Sequence, residues 1–154
     1  MIQRIQSLYL LIITVLMAVT LFSRLAWFGG GGEEFGLYAF ALKDAGGEVL
    51  QPAVYLGILL SAAALLPLVT VFLYRRRLLQ IRLCVAEMVL LVGSAVMEGI
   101  YYYLGSRVVS ELSFSTHGVG ISIVLPVVSL LFAWLASRAM FRDEVLVRSA
   151  DRIR

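Results

Sequence analysis

Glu87 and Glu98 stand eleven residues apart inside a long apolar run, Leu78 to Leu104. At about 100° per residue this spacing returns both carboxyls to nearly the same face of a helix, about 16 Å apart along its axis. Charge inside a bilayer is costly, so an intramembrane ionisable residue marks a functional site unless something else accounts for it. Two carboxyls on one face would suit a proton or cation path. A structural role competes with that reading. Glu87 lies five residues from Arg82 and Glu98 six from Leu104, depths from which a side chain can partly reach interfacial water. Arg24, near the end of the first apolar run, would sit about 6 Å deep against about 9 Å for Glu98. An Arg24–Glu98 pair would then fix the register of the first and third helices, with a net stability near zero after desolvation. The expectation is the structural pair, with transport as the alternative.

The remaining chemistry-bearing residues assemble no site. His117 is the sole histidine, so neither a bis-histidine haem nor a multi-histidine zinc centre can be built within one chain. The single cysteine, Cys84, excludes an internal disulfide and reads as a small buried hydrophobe. Ser113, Ser115, Thr116 and His117 are neighbours in sequence, but a nucleophile and base also need an oxyanion site and an orienting group; a polar loop explains them. No phosphate loop, dinucleotide fingerprint or nucleic-acid motif occurs. The expectation is a non-enzyme with no metal and no cofactor.

The elements that would position Glu87 and Glu98 follow from hydropathy. With 61% hydrophobic and 15% charged residues in 154, the chain is far more apolar than a soluble domain, in which about 25% of residues are charged. Four apolar stretches, Leu8 to Phe28, Ala53 to Tyr74, Leu78 to Leu104 and Val119 to Phe141, each meet the ~20 residues that a helix needs to cross a ~30 Å hydrocarbon core. The fold class is therefore all-α: one integral membrane domain, a four-transmembrane-helix bundle spanning 1–154. The first stretch reads as an uncleaved anchor, being longer than a signal-peptide core and lacking an A-x-A-like site.

Orientation comes from the arginines. Of the thirteen basic residues, Arg4, Arg75, Arg76, Arg77, Arg82, Arg138, Arg142, Arg148, Arg152 and Arg154 fall at one membrane face, and only Arg24, Lys43 and Arg107 near the other. The positive-inside rule then puts both termini and the Arg75 to Arg82 turn in the cytoplasm. The connections Gly29 to Pro52 and Gly105 to Gly118 become extracytoplasmic. In the first of these, aromatic and small residues around the turn signal Asp44-Ala45-Gly46-Gly47 predict a small loop or β-hairpin, which must lean on the helix ends to be stable. Trp27 and Phe28 are expected to mark the outer end of helix one, with the following glycines breaking it. Pro67 and Pro126 are expected to bend helices two and four. Gly118, Gly120, Ser122 and Ser129 are placed in helix four as small packing residues. The 142–154 tail is expected to continue helix four beyond the membrane, helped by the i,i+4 pair Glu144 and Arg148.

Three segments together are familiar: Met1-Ile2-Gln3-Arg4-Ile5-Gln6-Ser7-Leu8-Tyr9-Leu10, the turn from Phe72 to Cys84, and the ending from Asp143 to Arg154. In these the chain resembles an uncharacterised family of four-helix membrane proteins, a domain of unknown function found in Bacteroidetes-type bacteria. The resemblance implies inner-membrane residence and no catalytic or ligand residues. All three segments fall on the cytoplasmic face of the predicted topology. This suggests one cytosolic surface, Arg4, Gln6, Gln80, Arg82, Asp143, Arg148 and Asp151, that ties the N-terminus, inner turn and tail together or docks a protein partner. The leading expectation is thus an assembly or interaction module in contact with the lipid bilayer, with a homo-oligomer possible and no nucleic acid bound. The alternative is a small transporter or proton-coupled carrier using Glu87 and Glu98. Small four-helix drug exporters are similar in size, but they rely on an acidic residue in their first span, and Leu8 to Phe28 has none.

Overall fold

The computed structural model describes residues 2–30, 33–73, 77–110 and 116–151. It contains four helices, α1 (Ile2–Phe22), α2 (Val54–Phe72), α3 (Arg77–Ser110) and α4 (Leu125–Asp151), and five short strands, β1 (Ala26–Gly30), β2 (Glu33–Leu37), β3 (Ala41–Lys43), β4 (Val49–Pro52) and β5 (Thr116–Val119). All four helices are long and apolar enough to cross a membrane. Their outer faces carry exposed Ile5, Leu8, Val15, Ile58, Leu65, Val89, Val96, Leu131 and Trp134. In water such a surface would aggregate; in lipid it is the solvated face.

What the helices bury is narrower. The seams Gln6-Leu10-Ile13-Met17-Thr20, Leu56-Leu60-Ala63-Thr70, Cys84-Glu87-Leu91-Ser94-Glu98 and Ser129-Ala133-Ala136-Met140 are all buried. Within each, steps of three and four residues alternate, apart from a double step across the buried Pro67 of α2. That phase keeps a side chain pointing at the axis of a left-handed bundle. α1 packs along α2 and α4, and α3 does the same, so α1 and α3 stand diagonally opposed. Alternating direction brings the start of α1 and the end of α4 to one end of the bundle, where Gln6 Nε2 donates to Asp143 Oδ2 at 3.4 Å. This is called the terminal end below. Small residues bring α3 and α4 close enough for Cys84 Sγ to donate to the Ala133 carbonyl at 3.3 Å.

The other end is capped by an antiparallel sheet in the order β4-β3-β2-β1-β5. It is larger than a hairpin between the first two helices, because β5 comes from the α3–α4 connection and pairs with β1. Leu25, Phe28, Phe35, Leu37, Ala39 and Leu42 extend the bundle core up into the sheet. α3, at 34 residues, is about 51 Å long. Its overhang carries Tyr102, which stacks on Phe28 at 5.6 Å. The sheet thus leans on a helix, as a small sheet must. The predicted turn is present: Asp44 accepts from the Gly47 and Glu48 amides, and Gly47 takes a φ of 86°.

Several boundaries differ from those expected. α1 ends at Phe22, where the Ser23 hydroxyl and amide both close on the Val19 carbonyl; Trp27 and Phe28 are strand residues. Gly118 belongs to β5 and Ser122 to a short 3₁₀ turn, Ile121–Val124, so neither lies in α4. Gly120 sits where a Cβ would come within 2.6 Å of the Arg24 carbonyl. Its amide donates to Leu25 O at 2.8 Å, seating the entry to α4 against the exit from α1. Pro126 occupies the first turn of α4, where no intrahelical N–H is needed. Pro67 does lie inside α2 and denies the Ala63 carbonyl its donor. α4 continues to Asp151, as the tail's charge pattern predicts.

Candidate functional site

The interior of a bundle built from apolar residues would need no polar groups, yet nine buried polar or charged residues are found among those described. Four are satisfied at short range. Thr20 donates to the Leu16 carbonyl, Thr70 to Leu66, Ser94 to Leu90 and Ser137 to Trp134, each within its own helix. Gln6 and Gln80 reach across helices, to Asp143 and to the Thr70 carbonyl at 3.4 Å respectively. Three residues remain: Glu87, Glu98 and Ser129 are 1%, 0% and 0% exposed, and none of their side-chain oxygens has a hydrogen-bond partner.

Their placement follows from the seam. The 3-4-3-4 phase from Cys84 through Glu87, Leu91 and Ser94 to Glu98 turns both glutamates inward together. The contact between Cys84 and Ala133 aligns α3 with α4. Counting outward from it, Glu87 lies about 4.5 Å and Ser129 about 6 Å towards the sheet end, so they share one layer of the bundle. Ser129 is the residue that sequence reasoning missed. It read as a small packing residue, and only its phase with Ala133 and Ala136 could have shown that its hydroxyl faces the core. Glu98 lies further out. Counting from Gln80 and Thr70 puts it near the first turn of α2, whose partial positive charge favours a carboxylate.

Arg24 is not the partner of Glu98. It follows the end of α1, lies over Gly36, donates from Nη2 to the Phe35 carbonyl at 2.8 Å and pairs with Glu34 at 3.7 Å. The diagonal placement of α1 and α3 also removes the reason for a direct tie between them. The Arg24–Glu34 pair is open to solvent, 36% and 72% exposed, and such pairs contribute about 0–1 kcal/mol.

The expected cytosolic surface divides in two. Gln6 and Gln80 are buried, 5% and 6% exposed, so they bind helix to helix instead of facing a partner, and Asp143 is half-buried against Gln6. Arg82 is exposed. The side chains of Arg4, Arg148 and Asp151 lie outside the described residues. His117 rests edge-on against Tyr102 at 6.3 Å, and Thr116 donates to the Gly29 carbonyl, both as parts of β5; Ser113 and Ser115 lie outside the described residues. No group of three or more His, Cys, Asp or Glu side chains suited to a metal is found among the described residues.

No curated protein matches the chain. A family model described as "Domain of unknown function (DUF4293)" matches residues 2–153. The whole four-helix bundle with its strand cap, buried glutamates included, falls within that match, and the chain belongs to the DUF4293 family.

Proposed function

We propose that this is a non-enzymatic, multi-pass protein of the bacterial inner membrane, with both termini in the cytoplasm, that acts as a small proton-coupled carrier through Glu87 and Glu98. One observation supports this most: both carboxyls lie on the inner face of α3 with all four oxygens buried and unpartnered. A buried charge left without a partner costs several kcal/mol, and a fold keeps such a group where its gain and loss of a proton or small cation is the purpose. Ser129, in the layer of Glu87, and Ser94, between the two glutamates, supply hydroxyls along the same seam. The arginine distribution supports the cytoplasmic placement of the termini.

The test is proton flux into liposomes containing the purified protein and a trapped pH-sensitive dye, driven by a potassium diffusion potential. Glu87→Gln and Glu98→Gln should each reduce flux to the level of empty vesicles while the protein still inserts. Wild-type flux in both variants would sink the reading. The interaction-module reading retains one described residue on the surface, the exposed Arg82. It predicts a defined crosslinked protein in native membranes that is lost in the Arg82→Glu variant.

A further inference from the structure

A groove of about 920 Å³ runs between α1 and α4 near the terminal end, lined by Ile5, Tyr9, Leu135, Arg138, Ala139, Arg142 and their neighbours. Its walls are apolar and face outward from the bundle: Ile5, Leu135 and Val145 are all exposed. Two guanidiniums interrupt this surface. Arg138 and Arg142 are one helical turn apart, which brings their Cβ atoms to about 5–6 Å, close enough for both to reach one small anion. Neither has a carboxylate partner among the described residues. Arg138 instead lies back over the Trp134 ring, 5.4 Å from its centroid, towards the membrane interior. A cation–π contact leaves most of the donors of its guanidinium fork unused.

We propose that this groove holds an anionic phospholipid of the leaflet at the terminal end, its phosphate clamped by Arg138 and Arg142 and an acyl chain laid along Ile5, Tyr9, Leu135 and Ala139. The occupant follows from the combination of surfaces. A soluble anion would use the guanidiniums and leave the apolar walls bare, and an acyl chain alone would leave two cations unneutralised at the membrane edge. An anionic lipid satisfies both, with the bidentate geometry that arginine offers to phosphate. Juxtamembrane arginines attract anionic headgroups wherever they occur; the groove makes this pair selective.

Native mass spectrometry of the full chain, released from micelles doped with equal amounts of phosphatidylglycerol and phosphatidylethanolamine, tests the assignment. Wild type should retain one phosphatidylglycerol with a preference on the order of tenfold. The R138Q/R142Q variant should lose that preference. Ala139→Trp, which fills the groove and keeps both charges, should lose the bound lipid, whereas Arg82→Gln, which removes a charge elsewhere at the same end, should keep it. Equal retention of the two lipids by wild type would overturn the proposal. So would an equal loss in Arg82→Gln, full competition by inorganic phosphate, or a second copy of the chain in place of the lipid.

Discussion

The buried polar groups of this bundle that do not bond within their own helix fall into two populations that differ by position. Those at the terminal end, Gln6 and Gln80, reach across a helix boundary and find an acceptor. Those further along the axis, Glu87, Ser129 and Glu98, find none. The first population behaves as fastening: amides that cannot ionise, each bridging neighbouring helices. The second carries a desolvation cost with no bond to offset it. Polar groups used only to specify helix pairing would be satisfied, so the difference separates residues that hold the bundle shut from residues kept for another reason.

Opposite signs of effect on stability would sharpen this contrast. Glu87→Leu and Glu98→Leu each remove an uncompensated group and should raise unfolding stability in mixed micelles by about 1–4 kcal/mol; a loss of similar size would mean that the carboxyls have structural partners after all. Gln80→Leu deletes a cross-helix donor and should lower stability by about 1–3 kcal/mol in the same assay. For Gln6→Leu, whose bond to Asp143 is partly open to solvent where that of Gln80 is buried, the expected loss is about 0.5–1.5 kcal/mol. Ser129→Ala should change stability by less than about 1 kcal/mol, on the favourable side, and a clear loss there would move Ser129 into the fastening population. Arg24→Ala, which touches neither population, should cost about 1 kcal/mol or less; a larger drop would show Arg24 to be more than a surface residue.

The helices were legible because a bilayer demands run length, and run length survives any uncertainty about packing. The shared face of Glu87 and Glu98 was legible for the same kind of reason, since eleven residues is close to three helical turns. The cap was only half legible. A turn signal announced strands β3 and β4, but β1 and β5 contain Trp27, Phe28 and Val119, whose apolar character continues that of the adjoining spans. Hydropathy cannot distinguish a span from a buried strand attached to it. The Arg24–Glu98 pairing failed from that cause: α1 stops at Phe22 with Ser23 as the only local cue, and a depth counted from Phe28 misplaced Arg24. Gln6 and Gln80 read as surface because their segments fall at the cytoplasmic end of the predicted topology, while the 3-4 phase that takes them inside depends on where each helix begins.

The pairing of β5 with β1 joins the two helical hairpins on the far side from the α2–α3 connection. A chain cut in that connection would therefore leave two halves that still share a sheet, a glycine-seated crossing at Gly120 and two helix–helix seams. Such halves should find each other when co-expressed as separate polypeptides. Each alone would present an open strand edge and a strip of unmatched core, and would be cleared by membrane quality control.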